Sequence, residues 1–187
     1  MEERHIVNLL LNGIRLKQIP RSGWLQRGVP HAENVAAHSY GVCLTALALV
    51  EAIDQPFAVA RVMAMAVLHD LPESLTTDIP SPVKRFMRDP NAKTNMERAA
   101  LAEITDDVPF GGSWRDLWEE YDAEESAEAK LVHDADKIDM FLQAITYEQQ
   151  TGNRLLDQFW QVEHHFHYSD AQQIYDYLRA AHERMKR

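Results

Sequence analysis

Cysteine is almost missing from this chain. Cys43 is the one cysteine in 187 residues, so no internal disulfide and no Cys-x-x-Cys zinc pair can form. Glycine and proline are scarce, at 7 and 8, and the apolar-polar alternation of a half-buried strand is nearly absent. No block of basic residues offsets a formal net charge of −10. Nucleic acid polymers and acidic membrane surfaces are therefore poor partners, because clustered Lys and Arg hold phosphate backbones. A small anionic substrate needs only a few cations in one cleft. No apolar run approaches the roughly eighteen residues that span a bilayer, and the first residues lead into an amphipathic segment rather than a signal peptide. The expectation is a cytoplasmic protein with no membrane contact.

What is abundant is Ala, Leu, Met, Glu and Gln, residues that favour helix. An all-α fold is expected, as one domain over residues 1–187 with its core in 14–150 and packing helices in 151–187. The apolar spacing predicts helices near 3–17, 35–53, 57–70, 91–104, 113–121, 126–150, 155–165 and 169–187. Ile6, Leu9, Leu10, Ile14 and Leu16 would form the first stripe. Asn34 and Ser113 read as N-caps, and Leu131, Ala135, Ile138, Leu142 and Ile145 as the buried stripe of the long helix.

The chemistry gathers in Val62 to Glu73, VMAMAVLHDLPE. Val59, Val62, Met63 and Ala66 follow helical spacing, and His69 and Asp70 lie three and four residues beyond Ala66 on the same face. Burying an imidazole beside a carboxylate loses hydration, which a cation or strong hydrogen bonds can restore. A His-Asp hydrogen bond that merely ties two helices would explain the pair taken alone. Two further inward polar positions change the picture: His38, in register with Val42, Thr45 and Leu49, and Asp136, beside the stripe of the long helix. Two imidazoles and two carboxylates make a nitrogen-oxygen donor set suited to one divalent ion of the Mn, Co, Fe, Ni, Zn or Mg class. Four protein donors leave positions for water and substrate, the pattern of a catalytic centre. The irregular stretch 19–33 adds Arg21, Trp24 and Arg27, a cation and aromatic mixture common where loops meet ligands. Trp24 could equally plug the edge of the core. His164, His165 and His167 read as solvated or packing residues.

The strings RSGWLQRGVPHAENVAAHS, LHDLPESLTTDIPSPVK and HDADKIDM resemble the HD-domain metal-dependent phosphohydrolases, and among them the group of 5′-deoxynucleotidases (YfbR-type) and HD domain-containing protein 2. The resemblance covers most of 14–144. It implies an HD-fold bundle of about seven to eight helices and a homodimer that removes the 5′-phosphate from (deoxy)nucleoside monophosphates. It implies His38, His69, Asp70 and Asp136 as ligands of one metal per chain, with Asp70 also part of the catalytic machinery. Glu73 is implied as catalytic acid or base, Arg21 and Trp24 as orienting the phosphate, and Asp78, Ile79, Pro80 and Ser81 as a lip against the sugar. Gly23 stands where an Arg can precede the Trp in those enzymes. Ser74 replaces the acid found in guanosine-tetraphosphate hydrolases, and His133 is the only His between Asp70 and Asp136, too few for a dinuclear site. Other readings are a hydrolase of triphosphates or another phosphoester, or a non-catalytic nucleotide sensor.

Overall fold

Helix formers separated by short polar breaks fold here into helices alone. The computed structural model describes residues 2–186, the Ser81 side chain excepted, and no strand occurs among the described residues. In order come α1 (Glu3–Arg15), α2 (Ser22–Leu25), α3 (Val35–Ala52), α4 (Val59–Leu68), α5 (Glu73–Thr76), α6 (Ala92–Thr105), α7 (Gly111–Asp122), α8 (Ala127–Thr151), α9 (Asp157–Trp160) and α10 (Ser169–Met185). Short 3-10 turns cover Leu16–Gln18, Ser81–Phe86 and Arg154–Leu156. The all-α expectation is met, and the seven long helices fall in the expected places.

The axis of the molecule is α8, about 37 Å long at 1.5 Å per residue. Ser126 starts it by accepting the Ala129 N–H, and Gly152, with φ of 64°, ends it in the left-handed conformation that glycine adopts without strain. Along α8 pack α3, α4, α7 and α10. Val42, Leu49, Met65, Leu131 and Ile138 close the contact between α3, α4 and α8, each buried side chain contributing roughly 1.5–3 kcal/mol. A second cluster around Trp24, Phe141, Trp160 and Tyr175 joins the C-terminal helices to the far end of α8. Leu9, Leu68, Leu101 and Trp118 form a third.

Several expectations need correction. Leu10, Ile14, Val59 and Leu142 are exposed; α1 lies at the edge, so Leu9 is its buried residue, followed by Leu16 in the 3-10 turn just beyond it. Ser113 does not cap α7, which starts at Gly111, and its hydroxyl instead donates to the Phe110 carbonyl. The helix expected near 155–165 shrinks to a 3-10 turn and α9, because the chain then turns to bring the His167 and Tyr168 N–H groups onto the buried Asp134 carboxylate. One helix, α3, is long and apolar enough to pass as a membrane span by composition, contrary to the sequence reading. Its Val35, Val42, Ala46 and Leu49 are buried against the rest of the bundle.

Candidate metal centre

Three helices deliver the polar residues to one place. Asn34 accepts the Ala37 N–H and starts α3, which puts His38 in its first turn, 1% exposed. His69 is the C-cap of α4, one residue past the helix end, and Asp70 follows at the turn. Asp136 projects from the middle of α8. His38 Nε2 lies 3.0 Å from Asp136 Oδ1 and 3.7 Å from Asp70 Oδ2, and His69 Nε2 lies 3.2 Å from Asp70 Oδ2. The four residues expected as ligands thus stand together.

Backing groups settle the imidazole tautomers. Carboxylate and carbonyl oxygens only accept, so His38 Nδ1 donates to Asp139 Oδ2 at 2.8 Å and His69 Nδ1 donates to the Ala66 carbonyl at 2.8 Å. A further bond from Trp118 Nε1 to the His69 carbonyl, 3.1 Å, holds the same turn. Both Nε2 atoms therefore face the centre, and neither makes a hydrogen bond despite being buried. Donor atoms bonded to one ion at about 2.0–2.2 Å stand roughly 3 Å apart on its coordination sphere, which is the spacing found here. The His38, His69 and Asp136 donors all lie within 4.8 Å of one another. The residues fit a divalent ion.

The charges tell the same story. Burial and Arg21 oppose a charged His38, yet contact with Asp136 and Asp139 raises its pKa to about 10: without a metal, a proton supplies the positive charge that the carboxylates demand. Burial likewise opposes the charge on Asp70 and Asp136. His69, Arg21 and His38 around Asp70, and His38, His69 and Arg21 around Asp136, hold both well below the usual carboxylate range. Glu73 goes the other way. Burial first, then the negative charges of Asp70 and Asp78, push it up to about 10, so its carboxyl is neutral at pH 7. Its Oε2 has no hydrogen-bond partner.

Arg21 joins the centre through a clasp in the preceding loop. The Arg21 N–H donates to the Glu33 carbonyl and Val35 N–H to the Ile19 carbonyl, so the loop closes beside the start of α3. The Arg21 guanidinium is 3.2 Å from Asp70 Oδ2 and 3.5 Å from Asp78 Oδ1. Trp24 and Asp78 flank this clasp. Trp24 is 2% exposed and donates its indole N–H to Glu33 Oε1 at 3.0 Å, while its ring packs on Tyr147 and Phe159 at the edge of the core. Asp78 is buried, with one oxygen accepting the Ser22 N–H at 2.5 Å and the other facing Arg21. It secures the Arg21 loop. Ile79 and Pro80 are half-buried beside it, and the Ser81 side chain lies outside the described residues.

Between Glu73 and Asp78, Thr77 has φ of 63°. A β-branched residue in that region is strained by about 1–3 kcal/mol, and the chain turns there between Glu73 and the Asp78 that faces Arg21. Thr77→Gly is expected to raise the stability of the metal-free protein by about 1 kcal/mol, read from denaturant unfolding. A fall in stability would mean that the Thr77 side chain stabilises more than its backbone strains.

Sequence reasoning missed the backing groups. Asp139 lies one turn past Asp136 on α8, and a carboxylate at that spacing is the signal that could have found it. Gly41 makes room for it, since a Cβ there would sit 2.0 Å from Asp139 Oδ1. Lys93 on α6, paired with Glu97, was also missed; burial opposes its charge, but Glu97, Glu73 and Asp70 hold it as a cation. The three C-terminal histidines do not converge. His164 is bonded to the Phe159 carbonyl, His167 to Glu124, and His165 is exposed.

Paired His and Asp donors on a helical scaffold, with a neutral acid and a guanidinium at the rim, define a candidate hydrolytic metal centre. The HD domain family model matches residues 14–175, and the chain belongs to that family. It is 34% identical over 162 residues to 5′-deoxynucleotidase HDDC2 of Danio rerio, covering 83% of this chain and 77% of that protein. It is 36% identical over 143 residues to 5′-deoxynucleotidase HDDC2 of Dictyostelium discoideum, covering 73% and 74%. A solved structure of a conserved hypothetical protein from Pyrococcus furiosus superposes with a TM-score of 0.78 at 31% identity, over 93% of this chain and 99% of that one.

Proposed function

We propose that the protein is a metal-dependent phosphomonoesterase that removes the 5′-phosphate from deoxynucleoside monophosphates; the relatives it resembles are named 5′-deoxynucleotidases. The observation that carries the reading is the pair of buried imidazoles whose Nδ1 protons are committed elsewhere and whose Nε2 atoms meet two carboxylates. His38, His69, Asp70 and Asp136 would hold one divalent ion, of the Mn, Co, Fe, Ni, Zn or Mg class. When bound, such an ion supplies Lewis acidity and makes a water nucleophilic near neutral pH.

The remaining work falls to the chain's own residues. Arg21, always charged, orients the phosphate and neutralises its equatorial oxygens as charge builds during attack. Asp78 and the clasp to Glu33 hold Arg21 in that pose. Glu73, neutral at pH 7, holds the proton that the departing 5′-oxygen needs. Nucleoside and inorganic phosphate leave.

Cytoplasmic location and a homodimer complete the proposal. The exposed Val7, Leu10, Leu11 and Ile14 of α1 are apolar surface that a second copy would cover.

The test is phosphate release from 5′-monophosphates of ribo- and deoxynucleosides by chelator-treated protein, with Mn, Co or Mg added back. Release that requires the metal and is faster for the deoxy series is the expected result. Activity confined to triphosphates, or none with any nucleotide, would discard it.

A further inference from the structure

A second group of metal-type donors lies at the other end of α8, apart from the centre above. Its members are Glu148 on α8, Asp157 at the start of α9 and His182 on α10. The imidazole of His182 is 2% exposed and stacks on Trp160 at 4.5 Å. Glu148 is fully engaged in orienting these rings: Oε2 accepts from His182 Nδ1 at 2.7 Å, and Oε1 accepts from Trp160 Nε1 at 2.9 Å. The Nδ1 proton is therefore fixed, and Nε2 is left buried with no hydrogen-bond partner. Nε2 faces Asp157 Oδ1 at 3.6 Å. That distance is long for a hydrogen bond, and a neutral imidazole would oppose its lone pair to a carboxylate.

A cation between the two atoms resolves the conflict. Donors at about 2.0–2.2 Å from a tetrahedral ion stand roughly 3.3–3.5 Å apart, close to the observed separation. A carboxylate behind the distal nitrogen is the usual support of a metal-binding His. The adjoining cavity, about 80 Å³ and lined by Gly152, Asn153, Arg154 and Met185 among others, has room for two or three waters at about 30 Å³ each. It is too small for a nucleotide, since pockets for ligands of that size run to roughly 300–1,000 Å³. Lys186 Nζ stands 3.5 Å from the second Asp157 oxygen, so the ammonium competes for the carboxylate while Oδ1 stays available.

We propose that His182 and Asp157, with Glu148 orienting the imidazole, form a second divalent-cation site for a borderline ion such as zinc or cobalt, which ties α10 to the end of α8. Mixed nitrogen and oxygen donors select that class.

The test is equilibrium dialysis of the full-length, chelator-treated protein against Zn²⁺ or Co²⁺, with bound metal counted by elemental analysis. Asp157→Asn and His182→Gln are each expected to lower the bound metal by one ion per chain. Lys186→Met is expected to tighten the same ion by roughly fivefold, by removing a like charge nearby. Glu148→Gln is expected to weaken it by about tenfold or more. Because the count is read as a difference from wild type, it does not depend on whether the first centre fills; repeating it in His38→Ala assigns the ion to this end of the bundle. Equal metal content in wild type, Asp157→Asn and His182→Gln would overturn the proposal and leave His182 as a packing residue oriented by Glu148.

Discussion

Metal-dependent phosphate release by His38→Ala is expected to fall by at least about a thousandfold, with loss of one bound metal ion per chain. The size follows from how many partners meet at this ring. Its Nε2 is one of two buried nitrogens aimed at the centre, and its Nδ1 is the partner of Asp139. Removing the ring deletes a donor and leaves Asp136 and Asp139 facing each other's charge across a cavity. Breaking a buried charged pair from one side costs about 3–5 kcal/mol, so the metal-free variant also unfolds earlier. Far-ultraviolet circular dichroism before and during heating separates the two effects: helical content at 20 °C is expected to match the wild type while the midpoint drops. Undiminished turnover in a metal-stripped preparation of this variant would rule the centre out.

Glu73→Gln is expected to divide stability from turnover. The amide has nearly the shape of the neutral carboxyl that burial and Asp70 favour, so the fold and the bound ion are retained. Turnover falls by about 10²–10⁴, the usual contribution of a positioned acid, because an amide gives up no proton. Stability moves the opposite way. The pKa of Glu73 is about 10 in the folded protein against an ordinary 4.5, so between those values the unfolded chain has released a proton that the folded chain still holds. Stability of the metal-free wild type therefore declines as pH rises through that window. The Gln variant lacks this slope and is expected to be the more stable protein at pH 8, with the two converging toward pH 4. Denaturant midpoints at several pH values check the sign. Loss of the bound ion on substitution would make Glu73 a ligand or a structural prop instead.

Four of the site positions were legible because their signals are local. His69 and Asp70 follow directly on an apolar helix, His38 is in register with Val42 and Leu49, and Asp136 borders the stripe of α8. Each is a polar residue where helical periodicity predicts burial, and the cost of burying it points to a partner. What was not legible depends on long-range geometry. Nothing in the string around Trp24 says that its indole N–H reaches Glu33 and its ring reaches Phe159, which lies in a separate C-terminal segment. Asp78 looks like a loop acid until the chain turns back on Ser22. The shrinkage of the helix after Leu155 has a similar origin, since the chain leaves helical geometry to deliver two N–H groups to Asp134, and an amphipathic pattern carries no record of that destination. His182 was read as part of a packing helix because its partners, Glu148 and Asp157, are 34 and 25 residues away in sequence and meet it only in the fold.

The notch at Gly41 ties tolerance to substitution at this position to the reactivity of a ring one turn away. The spacing of α3 and α8 there is set by the lack of a single carbon atom, and Asp139 fills the space. Any side chain at 41, even a methyl group, displaces the carboxylate and frees His38 to exchange its protonated nitrogen. A defect in proton placement would thus arise from a residue that has no side chain at all.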